Sequence, residues 1–269
     1  MSDIIDFEAL LEQKLGEKAR RIPRFAVRYL RNILHIDALN DIIQKSNALT
    51  GWRFAQFALQ YLNIEIVVKG LDNLPSHNRL IFVSNHPLGG PDGLALASVL
   101  GKEYNDNIVM PVNDFLMMVK PLSPLFVPIN KVGGQSRNLP GIINNIMASD
   151  SNIIIFPSGS CSRKINGRIQ DRPWTKTFVR SCIEYRRDVV PIHFFGQNSS
   201  RFYFLDRLQK FFGIKFSIPM LFLVDEMFRH KNNQFKFVIG KPISYTNFDD
   251  TKTQVQWASY VRDSVYELM

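Results

Sequence analysis

The residues of this chain best suited to chemistry lie in one short segment, Asn85-His86-Pro87-Leu88-Gly89-Gly90-Pro91-Asp92. A histidine followed closely by a carboxylate has a direct use. The carboxylate holds one imidazole nitrogen, and the other can take a proton from a hydroxyl. The bland alternative is a structural histidine beside an aspartate that caps a helix. For a lone His and Asp at this spacing the bland reading is favoured, because short motifs match by chance.

The elements that must position this pair come next. The runs 64–70 and 79–84 are β-branched and apolar and predict strands, the second ending at the His86 loop. Further strands are expected at 107–112, 125–129, 152–156, 188–195 and 235–240. Helices are expected at 93–100, 138–148, 177–185 and 252–268. Strands alternating with helices predict an α/β domain, 63–269, with a mainly parallel central sheet flanked by helices. Sites in such sheets gather in the loops after the strands' carboxyl ends, where the His86 loop falls.

Residues 1–62 read as a helical N-terminal, membrane-associating segment. Lys18, Arg20, Arg21, Arg24, Arg28 and Arg31 stand beside Phe25, Tyr29 and Leu30, and Pro23 is expected to break the helix. The run Thr50 to Leu62 is amphipathic and aromatic. It suits an interfacial helix, and equally a helix packed on the main domain.

Bulk properties narrow the partners. The net charge is +9, 45% of residues are hydrophobic, and Phe occurs 21 times. That combination favours an anionic membrane surface over nucleic acid. The acidic start lacks the features of a signal peptide, and no run is long enough to span a bilayer. Cys161 and Cys182 form no CxxC pair and read as reduced thiols. No metal motif occurs. Ser158, Ser160 and Ser162 lack a nucleophile elbow. Cys161, near Arg163 and Lys164, reads as reactive or as an inert small residue, the latter favoured. His193, on an apolar strand, reads as a satisfied core histidine, and His35, His77 and His230 as incidental. Phe202 to Phe216 interleaves aromatics with Lys and Arg, which suits stacking on single-stranded nucleic acid or, better, a lipid interface or acyl channel. The run 218–224 then lines an acyl pocket or belongs to the core.

Ser84 to Asp92 resembles the His–Asp signature of the glycerolipid acyltransferases, the family that includes 1-acylglycerol-3-phosphate acyltransferases. Three more blocks follow in that family's order: Phe126-Val127-Pro128-Ile129-Asn130-Lys131, Ile155 to Arg163, and Val189-Val190-Pro191-Ile192. Val238 to Ile243 resembles its late Gly-x-Pro-Ile segment. Asn-His-Pro-Leu-Gly-Gly is most similar to a hemolysin-like subgroup.

The resemblance implies an O-acyltransferase of membrane lipid synthesis, peripheral on the cytoplasmic face of the inner membrane. Its donor is a fatty acyl thioester on acyl carrier protein or coenzyme A, with no further cofactor. Its acceptor is a lysolipid such as 1-acylglycerol-3-phosphate. His86 acts as base, Asp92 orients it, and attack is direct, with no acyl-enzyme. Backbone amides near Gly159 or Gly89 are expected at the oxyanion. Asn85, Lys131, Arg137, Ser158, Gly159, Ser160 and Arg163 are the expected substrate-binding residues.

Four departures from the family's pattern stand out. Five residues separate His86 from Asp92 where the family has four. Ser158 replaces a Glu and Cys161 an Arg, and Lys131 stands where Arg is common. Lys does not reproduce the planar fork with which Arg grips phosphate. An N-acyl amino acid lipid is therefore an alternative acceptor, since some relatives of the subgroup acylate such lipids. A lapsed enzyme that only binds membranes and a thioester hydrolase are the readings of other classes.

Overall fold

The computed structural model describes residues 4–129, 139–213 and 218–269. A seven-stranded sheet forms the centre. Its strands are β1 (Glu65–Lys69), β2 (Ile81–Ser84), β3 (Ile108–Val112), β4 (Phe126–Pro128), β5 (Asn152–Ile155), β8 (Val189–Phe195) and β9 (Gln234–Ile239). The order across the sheet is β1-β9-β8-β2-β5-β3-β4. Five neighbours, from β8 to β4, run parallel. Strand β9 is antiparallel to β8, and β1 pairs parallel with β9. The sheet is thus mostly parallel, as the alternation of elements predicts. A small hairpin, β6 (Arg163–Ile165) and β7 (Arg168–Gln170), lies outside it. These three-residue strands are too short and polar to leave a periodic signal.

Alternation along the strands sorts side chains to two faces. Ile81 and Val83 of β2 and Ile153 of β5 join one apolar cluster, while Phe82 and Ile154 join the other. The first face is covered by α6 (Leu139–Ala148), α7 (Thr177–Tyr185) and α11 (Gln254–Tyr266), through Met147, Phe178, Trp257 and Val261. Against the second lie α5 (Gly90–Glu103) and the N-terminal helices α1 (Phe7–Leu15), α2 (Arg24–Ile33), α3 (Ile36–Lys45) and α4 (Gly51–Tyr61). Phe7, Ile36, Ile42, Phe54 and Leu59 share that core with Leu96, Leu100 and Phe237.

The α4–α5 crossing is close because Gly101 faces Trp52. A methyl placed on Gly101 would come within 2.4 Å of the Trp52 Cβ. Pro23 breaks the helical run as expected: the 3-10 turn ends at Arg21, and Pro23 is the N-cap from which α2 starts. Three more helices, α8 (Ser200–Phe211), α9 (Ile218–Leu221) and α10 (Leu223–Arg229), stand between β8 and β9. Asp225 of α10 ties this group to the N-terminal layer: it receives His35 at 2.9 Å, Arg229 at 2.9 Å and Arg201 at 3.6 Å. Among the described residues no helix is long and apolar enough to cross a membrane.

Candidate active site

The site is built at the carboxyl ends of the parallel strands, from the loops after β2, β5 and β8. Strand β2 ends at Ser84. Asn85 then continues the sheet with its side chain, whose amide donates to the Phe194 carbonyl at 2.8 Å and accepts the Phe194 N–H at 2.7 Å. That double bond to β8 fixes the departure of the loop, and both ends of the Asn85 amide are committed to it.

The loop closes on itself through Asp92. Helix α5 begins at Gly90, so Asp92 occupies its third position, where a carboxylate can reach back to the N-cap backbone. Its Oδ2 accepts the N–H groups of Leu88 and Gly89, each at 3.0 Å, and receives His86 Nδ1 at 3.0 Å. Asp92 is fully buried, at 0% side-chain exposure, and His86 retains 17%. Burial pushes the Asp92 carboxyl upward, while the imidazole and the two amides draw it down. The loop between His86 and Asp92 turns at Gly89, which has φ +87°. A side chain there would meet Cys161 Sγ and Leu223 at 2.9 Å.

His86 is held from three further directions. Its ring stacks on Phe156, centroids 3.8 Å apart. Its carbonyl accepts the Ser162 N–H at 2.7 Å. Its own N–H donates to Asp171 Oδ1 at 3.2 Å. Asp171 also receives the Ser162 hydroxyl at 2.6 Å and the Trp174 indole at 2.9 Å. Sequence reasoning missed Asp171 because it follows β7, 85 residues from His86, with no motif around it. Burial lowers the proton affinity of the His86 imidazole. Cys161 and then Asp92 raise it, and the net direction is upward. With Nδ1 on a carboxylate, the remaining nitrogen can take a proton from a hydroxyl.

The third block is arranged differently from a phosphate grip. Arg163 is buried and points inward: its Nε meets Asp206 at 2.9 Å, and its Nη1 donates to the Cys161 carbonyl at 2.9 Å. The Ser158 hydroxyl donates to the Ser160 carbonyl at 2.7 Å. Gly159 is exposed in a turn with φ +65°, and its N–H is taken by the Phe156 carbonyl at 2.9 Å. The N–H groups of Gly89 and Gly159 themselves already have acceptors, which leaves the expected oxyanion role to other amides near them. The Ser160 hydroxyl is buried without a partner among the described residues. Cys161 is buried against His86. Lys131 and Arg137 lie outside the described residues.

Two helices carry apolar stripes outward. On α8, Phe202, Tyr203 and Asp206 face inward, while Phe204, Leu208 and Phe211 are exposed, Phe211 at 82%. On α2, Phe25 and Tyr29 are exposed, Phe25 at 77%, beside exposed Arg24 and Arg28. Contiguous apolar surface of this kind marks an interaction site more often than an accident.

A "lyso-glycine lipid O-acyltransferase" of Phocaeicola vulgatus is 49% identical over 265 residues, covering 98% of this chain and 95% of that protein. One of the same name from Bacteroides thetaiotaomicron is 45% identical, covering 98% and 97%. A crystal structure of the 1-acyl-sn-glycerophosphate acyltransferase PlsC from Thermotoga maritima aligns over 98% of this chain and 90% of its own, with 16% identity and a TM-score of 0.48. The family model described as "Acyltransferase" matches residues 9–269, nearly the whole chain, and the chain therefore belongs to that family and is an acyltransferase.

Proposed function

We propose that the enzyme transfers a fatty acyl group from a thioester, on acyl carrier protein or coenzyme A, to the hydroxyl of an N-acyl amino acid lipid of the lyso-glycine type. The observation that carries the chemistry is the grip of buried Asp92 on His86 Nδ1 at 3.0 Å. His86 Nε2 takes the acceptor's hydroxyl proton, and Asp92 stabilises the resulting imidazolium. The alkoxide oxygen attacks the thioester carbonyl. The tetrahedral intermediate then expels the carrier's thiolate, which recovers the proton from His86, leaving an ester and a thiol.

The acceptor follows from two supports. Both relatives bear that acceptor in their names. Arg163, the arginine of the third block, is engaged by Asp206 and does not offer its fork to a phosphate. A lysophosphatidate acceptor needs Lys131 and Arg137 to supply that grip. In this reading Asn85, Ser158, Gly159 and Ser160 shape the substrate's path rather than bind charge.

The enzyme works as a peripheral protein at the anionic cytoplasmic face of the inner membrane. The exposed aromatic and basic residues of α2 and α8 support this, since rings at headgroup depth beside arginine suit such a surface. Segment 1–62 contributes the α2 stripe.

The test offers radiolabelled acyl carrier protein and coenzyme A thioesters to the purified enzyme with lyso-glycine lipid or lysophosphatidate. The expected product is O-acylated glycine lipid, absent with His86→Ala. Preferential acylation of lysophosphatidate would overturn the acceptor. Undiminished transfer by His86→Ala would overturn the mechanism, and free fatty acid alone would mark a hydrolase.

A further inference from the structure

Beyond β5 the chain leaves the sheet, runs through the β6–β7 hairpin and returns to cover the sheet as α7. From Asn152 to Ile183 this stretch carries six cations, Arg163, Lys164, Arg168, Arg172, Lys176 and Arg180, and one acid, Asp171. The acid does not neutralise them. Asp171 is buried at 2% exposure and accepts the His86 N–H, the Ser162 hydroxyl and the Trp174 indole. Arg163 turns inward to Asp206, and Arg180 pairs with Glu184 of its own helix at 3.6 Å. Lys164, Arg168, Arg172 and Lys176 are exposed, and among the described residues none of them meets a carboxylate.

These cations are mounted on a braced segment close to the reacting atoms. The hairpin pairs Arg163 with Gln170 and Ile165 with Arg168. The Arg262 guanidinium of α11 donates to Gln170 Oε1 at 3.2 Å, the Asp171 N–H donates to the Tyr266 hydroxyl at 2.9 Å, and the Thr175 N–H returns to the Pro157 carbonyl at 3.1 Å. Ser162 and Asp171 bracket the hairpin, and both bond the His86 backbone. Lys164 is two residues from Ser162, and Arg172 and Arg168 are one and three from Asp171. Each of these α-carbons therefore lies within about 10 Å of a residue that touches His86. Like charges gathered without counter-ions do nothing for stability. Their field acts outward, on an approaching anion.

We infer that this basic hairpin is the docking surface for an acidic protein that delivers the acyl donor, an acyl carrier protein. The inference rests on the acyl transfer proposed above and decides between its two donors. Composition favours a protein over a lipid surface. Among the described residues no large apolar side chain is exposed between Leu71 and Ile183. The hairpin thus has charge without the aromatic anchors that stand beside the arginines of α2, and interfacial surfaces use both. Layout favours a protein over the phosphates of coenzyme A. Cations spread from Lys164 to Lys176 along an open hairpin and loop make a broad field rather than one closed grip. A carrier that must leave after each transfer suits exposed charges, which speed encounter more than they slow release. Its acyl group hangs on a flexible pantetheine arm that can pass from the hairpin to His86.

Charge reversal tests the surface. Lys164→Glu, Arg168→Glu and Arg172→Glu are assayed singly, and the last two together, with saturating lyso-glycine lipid. The donors are thioesters of one fatty acid on the acyl carrier protein of Bacteroides thetaiotaomicron, on coenzyme A and on free pantetheine. Lys102→Glu, at the far end of α5 from Asp92, controls for net charge. The double variant is expected to lower kcat/KM for the carrier-protein donor about tenfold, mainly through KM, with acyl pantetheine unchanged. An equal fall with all three donors would show that the reversals disturb His86 through Asp171, and would overturn the docking surface. A fall with coenzyme A as large as with the carrier protein would assign the cations to phosphates. Loss of sedimentation with anionic vesicles while carrier kinetics hold would assign them to the membrane. Either result overturns it.

Binding is read apart from turnover, by fluorescence anisotropy of the same carrier protein, labelled and bearing no acyl group. Saturable binding that the double variant weakens about tenfold supports the surface even if no acyl transfer is found and the proposed function fails. Binding and transfer that survive every reversal overturn the surface and leave the proposed function standing. A carrier protein that neither binds nor donates overturns it as well, whatever coenzyme A thioesters do.

Discussion

The backbone N–H of His86 donates to Asp171 Oδ1 at 3.2 Å, and that same oxygen receives the Ser162 hydroxyl at 2.6 Å. One buried carboxylate thereby joins the loop after β2 to the loop after β5. Asp171→Ala leaves the His86 N–H, the Ser162 hydroxyl and the Trp174 indole without their acceptor. A buried donor stranded this way costs about 1–3 kcal/mol. A lowered melting temperature is expected, together with a fall in kcat larger than the change in KM. Stability loss with kcat unchanged would show that Asp171 holds the fold but not the geometry of His86.

Asp92→Asn tests the other side of the imidazole. The amide oxygen can take the place of Oδ2 and accept the same three N–H groups, but the side chain no longer carries the negative charge that stabilises the imidazolium. The expected loss in kcat is about 10²–10⁴-fold, the range of a general base's contribution, with a smaller effect on donor KM. Steady-state rates with saturating donor and acceptor decide it.

The pH profile follows from the raised proton affinity of His86. The neutral imidazole is the reactive form, so kcat/KM should climb with pH through an inflection above the ordinary histidine value of about 6.5. The linked stability has the opposite slope. With the folded pKa raised, the His86–Asp92 pair contributes fully below the unfolded pKa and is lost as pH rises through the folded one. Cys161→Ala removes the largest influence that raises the imidazole. The inflection should move to lower pH, read from rates across pH 5.5–10. A profile identical to wild type would remove Cys161 from the electrostatics of the site.

For membrane retention the variants are Phe211→Asp and Phe25→Asp. Each places a carboxylate on an exposed apolar stripe. Sedimentation with anionic vesicles should show reduced binding, and wild-type binding should weaken at high salt, because charge attraction is screened over about 10 Å at 0.1 M. Retention indifferent to lipid charge would count against the arginines of α2 as an anchor.

Gly101→Ala addresses the N-terminal layer. The added methyl overlaps Trp52 at the α4–α5 crossing, and overpacking of this kind costs about 1–3 kcal/mol. Thermal unfolding should report a drop of several degrees, and Trp52 fluorescence should change with it.

Much of the sheet was legible because strands buried on both faces read as short β-branched runs. Strands 152–155 and 189–195 fall almost where the pattern places them, and helix 177–185 agrees to the residue. Helix α5 begins three residues earlier than expected, because Gly90-Pro91 looks like loop until Asp92 is seen to cap it. The pairing of His86 with Asp92 was legible from residue types. The turning inward of Arg163 was not, since only the fold brings Asp206 beside it. Asp171 was invisible for the same reason: it acquires meaning from partners distant in the chain.

The turn at Gly89 bears on how such enzymes are found. Its positive φ turns a loop with five residues between His86 and Asp92 so that Asp92 reaches the imidazole and two loop amides. Loop length and reactive geometry are thus independent variables. A pattern search that fixes four residues between histidine and aspartate discards this chain. One that asks instead for an aspartate at the third position of the helix, after a glycine with positive φ, retains it.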